Sequence, residues 1–116
     1  MKLWKQASLL ATMVVFAGMV ASAQNGKGDA AKGKEVYAAN CDICHDASTT
    51  EDKVGPGLKG ITKKAAHKMA DGTEHKDHSD AVLRKQITDG SGGMPPLGGS
   101  LSAAEIDNVL AYLHTL

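Results

Sequence analysis

Large aromatic side chains are scarce in this chain: one Trp, two Tyr and one Phe among 116 residues. Trp4 and Phe16 both lie before residue 24, so Tyr37 and Tyr112 are the only rings available to a domain that follows. Such a core is thin for a small domain, which buries little apolar area in any case. Cysteine is almost as rare. Two thiols, Cys41 and Cys44, exclude a multi-bridge disulfide framework, and a bond between them would close too small a loop to gain much. A structural zinc site takes about four ligands, commonly from two paired clusters, and there is no second Cys pair. Neither charge sign dominates, with 13 Lys/Arg against 13 Asp/Glu, which argues against a general nucleic-acid binder. No apolar run reaches the roughly 20 residues that a membrane-spanning helix needs. Strand-like alternation, internal repeats and low-complexity tracts are also missing.

What apolar continuity exists is at the start. Lys2 and Lys5 precede an apolar run of 14 residues from Ala7 to Val20, and Ala21-Ser22-Ala23 supplies a small-x-small cleavage site. This pattern predicts an export leader over residues 1–23, removed after Ala23, rather than an anchor helix. No Cys follows the cleavage point, so a lipid anchor there is unsupported. Residues 24–116 then form the mature domain, 116 − 23 = 93 residues. Loss of Lys2 and Lys5 leaves 11 basic against 13 acidic side chains, a net charge of −2. The bacterial periplasm is the expected compartment.

Cys41-Asp42-Ile43-Cys44-His45 is the segment with the sharpest chemistry. Cys-x-x-Cys-His is the attachment pattern for a c-type haem. Thiols three positions apart on one helical turn can each add across a vinyl group of the same porphyrin, and the next residue aims an imidazole at the iron. A thioredoxin-like dithiol would instead expect a βαβ context, which the sequence lacks. Haem attachment also occurs outside the cytoplasm, so motif and leader point to one compartment. A large apolar macrocycle would supply the core that the sequence withholds, coupling folding to cofactor binding.

A helix is predicted over residues 30–40, capped by Asp29, with Gly33 and Tyr37 on one face. Residues 46–60, broken by Gly55-Pro56-Gly57, read as loop. A short helix is expected over 63–70, then a polar surface loop over 73–77. Ser79 or Asp80 caps a helix that runs to Asp89 and stops at Gly90. Ser102-Ala103-Ala104-Glu105 is a capping box opening a final helix with Ile106, Val109, Leu110 and Leu113 as its apolar stripe. Between the last two helices, Gly93-Met94-Pro95-Pro96 cannot be helix interior, because two prolines remove two donors.

A second axial ligand for iron would come from Met69, Met94, His67, His75, His78 or His114. Met94 has the strongest case: a Pro-braced loop can cross a haem face while holding a side chain inward. Met69 reads as helix packing, and His67, His75 and His78 read as solvated surface residues in a charged stretch. Thioether and imidazole together favour ferrous iron and leave no open coordination position, which suits electron transfer and disfavours catalysis.

With these motifs in place, the stretch from Asp29 to Leu116 resembles the small class I cytochromes c, near the bacterial monohaem carriers of the c5, c6 and c-551 type. The resemblance implies an all-α cytochrome c fold of about four helices wrapped around one covalently attached haem c. It implies thioether links at Cys41 and Cys44, and iron ligation by His45 and Met94. Gly33 and Tyr37 match the contact residues of the family's first helix, and Val109 and Tyr112 those of its last. Val54-Gly55-Pro56-Gly57-Leu58 matches a Gly-Pro-x-Leu segment in which the proline carbonyl accepts from the proximal imidazole Nδ1. That gives Pro56 an orienting role and Leu58 a packing role. Many members place a Trp or Tyr near the haem propionates, whereas residues 73–79 hold no aromatic. The implied protein is a monomeric electron carrier, not an enzyme, that meets donor and acceptor redox proteins without nucleic acid or a stable membrane anchor. Lys53, Lys59, Lys63 and Lys64 are candidates for a basic ring that steers an acidic partner.

Overall fold

The computed structural model describes residues 28–68, 72, 74–75 and 77–116. The expected leader and Met69 lie outside these residues, as do the side chains of His67 and His75. Among the described residues there are three α-helices: α1 at Ala30–Asn40, α2 at Asp80–Asp89 and α3 at Ala103–Leu113. A single 3-10 turn covers Ile61–Lys63, and a two-residue antiparallel ladder pairs β1, His67–Lys68, with β2, Glu74–His75.

Each helix starts where a side chain satisfies a free backbone donor. The Asp29 carboxylate accepts from Lys32 N at 3.1 Å. Ser79 Oγ accepts from Val82 N at 3.4 Å, and the Asp77 carboxylate steadies Ser79 through its N–H and its hydroxyl. At α3 the capping box is complete. Ser102 Oγ accepts from Glu105 N at 3.1 Å, and the Glu105 carboxylate accepts from Ser102 N at 2.8 Å.

The core is built where α1 crosses α3. α3 buries Ile106, Val109, Leu110 and Leu113, each worth roughly 1.5–3 kcal/mol of gross apolar burial. α1 buries only Gly33 and Tyr37, one turn apart. Their roles differ. A Cβ on Gly33 would stand 1.8 Å from the Asn108 carbonyl oxygen, so the missing side chain is what lets the two backbones meet. Tyr37 fills the next turn and packs edge-on against Tyr112, with ring centroids 5.3 Å apart. Asn108 Oδ1 also accepts from Asp29 N at 2.8 Å, pinning the start of α1 to the middle of α3.

α2 joins this pair through buried Ile87 and an Arg84–Asp107 ion pair, both side chains partly exposed. A pair in that setting adds little stability. His114 Nε2 lies 2.6 Å from Asp80 Oδ1, linking the end of α3 to the start of α2.

Over residues 63–68, the described part of the segment 63–70, the expected helix does not form. After the turn at Ile61–Lys63, Lys64 is extended, at φ −72° and ψ 132°. Its carbonyl accepts from His78 Nδ1 at 3.0 Å, so it is not available to a helical ladder, and the chain pairs His67 with His75 instead. The helix count is therefore three among the described residues, not four. His78 is buried rather than solvated, because that hydrogen bond draws it under the turn.

Candidate haem site

α1 leads straight into the two thiols. Cys41 N donates to Tyr37 O at 2.7 Å, and Cys44 N and His45 N both donate to Cys41 O, at 3.0 and 2.9 Å. The segment thus makes one further turn past the end of α1. Cys41 is 9% exposed and packed into the core, while Cys44 is half-buried. Both are free thiols. Burial, with Asp42 and Cys44 nearby, pushes the Cys41 thiol up to about 11. A dithiol oxidoreductase needs the opposite shift, toward thiolate at neutral pH.

His45 is held from three sides. Its Nδ1 lies 2.9 Å from the Pro56 carbonyl oxygen. A carbonyl only accepts, so the proton sits on Nδ1 and Nε2 carries the free lone pair. The ring packs against Gly55, where an added Cβ would approach Cε1 to 2.5 Å. Its own carbonyl accepts from the Tyr37 hydroxyl at 2.9 Å, which burial keeps protonated far above ordinary pH. The loop carrying Pro56 is tied back by Gly55 N to Cys44 O at 2.7 Å and by Leu58 N to Asp46 O at 2.8 Å. Leu58 is half-buried against the core.

The Met94 loop is closed with equal care. Ser91 and Met94 exchange two backbone hydrogen bonds, at 3.1 and 2.9 Å. Gly90, at φ +65°, makes the turn out of α2, and a Cβ there would meet the Met94 carbonyl at 2.4 Å. Beyond the prolines, Leu97 N donates to Ile87 O at 2.9 Å, so both ends of the loop are fastened to α2. Met94 is half-buried against the core, and its Sδ lies 3.4 Å from Gln86 Nε2.

These residues fit a covalently attached haem. Two unbridged thiols share one turn, and the adjoining imidazole keeps Nε2 for a metal because Pro56 occupies Nδ1. Among the described residues, no group of three or more His, Cys, Asp or Glu could hold a metal ion by itself.

Comparison with known proteins identifies the family. The family model described as "Cytochrome C oxidase, cbb3-type, subunit III" matches residues 28–113. The chain belongs to the cytochrome c family. Within it, the chain is a small monohaem class I cytochrome c that carries one covalently attached c-type haem and serves electron transport. It is 33% identical to cytochrome c6 of Synechocystis sp. over 119 residues, covering 97% of this chain and 92% of that protein. It is 40% identical to cytochrome c6 of Picosynechococcus sp. over 88 residues, 73% of this chain and 71% of the other. Among solved structures it is similar to cytochrome c6 from the diatom Phaeodactylum tricornutum, with a TM-score of 0.56 and 30% identity. That match covers 76% of this chain and 93% of the diatom protein.

Three features of this cytochrome c were not evident from sequence reasoning. The Tyr37 hydroxyl bonds the backbone of His45, Gly55 makes room for the imidazole, and Gln86 reaches the Met94 sulfur. Only the last had a readable sign: Gln86 falls between Leu83 and Ile87 on the apolar face of α2, where a polar side chain needs a partner.

Proposed function

We propose that this cytochrome c is a mobile one-electron carrier whose haem is bonded to Cys41 and Cys44 and whose iron is ligated by His45 and Met94. The observation that carries the reading is the His45 imidazole, its Nδ1 engaged by Pro56 and its Nε2 left free, one residue beyond two free thiols on a single turn. Bound haem would supply an iron that cycles between ferric and ferrous states. The Pro56 carbonyl orients the ring of His45 and increases its basicity, and Gly55 leaves the ring its space. Met94 supplies a soft thioether, which favours the ferrous state and raises the potential. With His45 and Met94 both holding the iron, no coordination position would be left for a substrate, which is why the reading is a carrier and not an enzyme.

Ile43 and Val54 support a docking face beside the thiols. They are 78% and 77% exposed, the two large apolar side chains left in water among the described residues. Lys53 lies between them in the chain sense, its Nζ donating to Asp42 O at 2.8 Å. An apolar contact with a basic margin fits transient association with an acidic-rimmed redox protein. Export after Ala23 would place this exchange in the periplasm, with residues 24–116 as the working domain.

The test is the ferric near-infrared spectrum of exported protein. A sulfur-to-iron charge-transfer band is expected, and Met94→Ala should abolish it and lower the midpoint potential. An unchanged potential would remove Met94 from the ligand set. A second reading, a dedicated subunit of a membrane oxidoreductase, is favoured by the description of the matching family model. It predicts stable co-purification with partner subunits, whereas a free carrier exchanges quickly.

A further inference from the structure

We propose that Lys53 is a positioning residue of the haem site, the side chain that sets which carbonyl of the following loop stands opposite His45. The inference rests on His45 holding the iron. Three hydrogen bonds join the turn that carries the thiols to the loop that carries Pro56. Lys53 Nζ donates to Asp42 O at 2.8 Å, Gly55 N donates to Cys44 O at 2.7 Å, and His45 Nδ1 donates to Pro56 O at 2.9 Å. Each joins residues 11 apart, so the two segments run side by side in one register. A slip of one residue would bring the carbonyl of Gly55 or Gly57, in place of Pro56, to the imidazole. Of the three rungs, the Lys53 one can be removed without touching either main chain or the His45 ring.

The end of α1 shows why the turn needs this rung. A helix ordinarily closes on a left-handed glycine or with a cation beside its last carbonyls. α1 has neither: its cap residue Cys41 keeps right-handed values, φ −115° and ψ −35°, and its last turn holds no basic side chain. The Tyr37 carbonyl accepts from Cys41 N and Asp42 N, and the Cys41 carbonyl from Cys44 N and His45 N. The Asp42 carbonyl takes the ammonium instead. Lys53 therefore brings from the next loop the cation that α1 lacks. The same residue donates its own N–H to Gly55 O at 2.9 Å, so anchor and orienting segment form one short unit. When the Lys53 rung opens, the loop loses the first of its three ties to the turn, and Nδ1 of His45 parts from Pro56 more often.

The test uses exported holoprotein in its ferrous, diamagnetic state. NMR follows hydrogen exchange of the His45 Nδ1 proton beside that of the Val109 amide, which is buried in α3. Lys53→Met keeps the stem and removes the cation; the side chain is exposed, so the fold should survive. Exchange at His45 should quicken roughly two- to fivefold, the share of one exposed charge-assisted hydrogen bond, while Val109 keeps its rate. Lys53→Arg, a cationic donor of similar reach, should return the His45 rate toward wild type. A Lys53→Met protein with wild-type exchange at His45 would overturn the proposal. So would equal quickening at His45 and Val109, which marks a general loss of stability, or a Lys53→Arg protein as fast as Lys53→Met. A wild-type protein whose His45 ring protons lack the strong upfield ring-current shift of a group seated over a porphyrin would instead overturn the ligation beneath it.

Discussion

Adding one methyl group at Gly33 sets two effects directly against each other. Helix propensity favours the change, since Ala is about 1 kcal/mol better than Gly in a helix interior. Packing opposes it. The new Cβ would lie 1.8 Å from Asn108 O, 2.4 Å from Asn108 C and 2.9 Å from Tyr112 Cβ, where ordinary contact begins near 3.4 Å. Two of these atoms are backbone and cannot swing aside, so α1 must lift from α3 by well over an ångström. Overpacking of this kind costs about 1–3 kcal/mol. The displacement also lengthens the Asp29–Asn108 hydrogen bond, worth about 0.5–1.5 kcal/mol, and parts Tyr37 from Tyr112, about 0.5–1.5 kcal/mol beyond area burial. Set against the propensity gain, the net loss for Gly33→Ala is about 1–5 kcal/mol. Guanidinium unfolding of holoprotein, followed by helix ellipticity, should give a lower midpoint at unchanged slope. Gly99→Ala is the control, because a methyl group there would meet nothing within 4 Å and the φ of Gly99 is not positive; it should stay within about 0.5 kcal/mol. A Gly33→Ala protein as stable as wild type, or more so, would refute the close-approach argument.

Other outcomes follow from the same contacts. Tyr37→Phe removes the donor to His45 O and should cost about 0.5–1.5 kcal/mol in the same unfolding assay, with ring packing retained. Ser102→Ala breaks the capping box of α3 and should cost about 1 kcal/mol. Asp77→Asn tests an acid effect. Hydrogen bonds from Ser79 hold the Asp77 carboxyl below its ordinary value of 3.8, so its contribution is complete above that value and is lost as pH falls through the lowered one. The variant should flatten the stability curve below about pH 4 and leave its pH dependence above about pH 5 unmoved. Ile43→Glu should slow electron exchange with an acidic-rimmed partner while the midpoint potential holds, read by stopped-flow absorbance; equal rates would remove Ile43 from the docking face.

Much of the fold was legible because its punctuation is local. Asp29, Ser79 and the Ser102–Glu105 box mark helix starts by the donors they satisfy, and Gly90 marks a stop by its positive φ. The apolar stripe of α3 follows from its 3.6-residue period. The segment at 63–70 was misread for the opposite reason. Its composition permits a helix, and what forbids one is the hydrogen bond from His78, 14 residues downstream, to the Lys64 carbonyl. A non-local partner of that kind leaves no trace in periodicity. At the candidate site, the Cys-x-x-Cys-His spacing pointed in the sequence to the haem that the family carries, since the chemistry of attachment demands that pattern. The Tyr37 hydroxyl was not, because a Tyr on a core face is accounted for by its ring alone, and its acceptor is main chain.

The burial of Cys41 constrains how the protein is made. Cys41 sits in the same apolar cluster as Val109 and Leu110 of α3. A porphyrin delivered to that thiol is expected to reach it more readily before the cluster has closed. Under the proposed linkage at Cys41, ligation is expected on an open chain, with α3 packing into the cluster only afterwards.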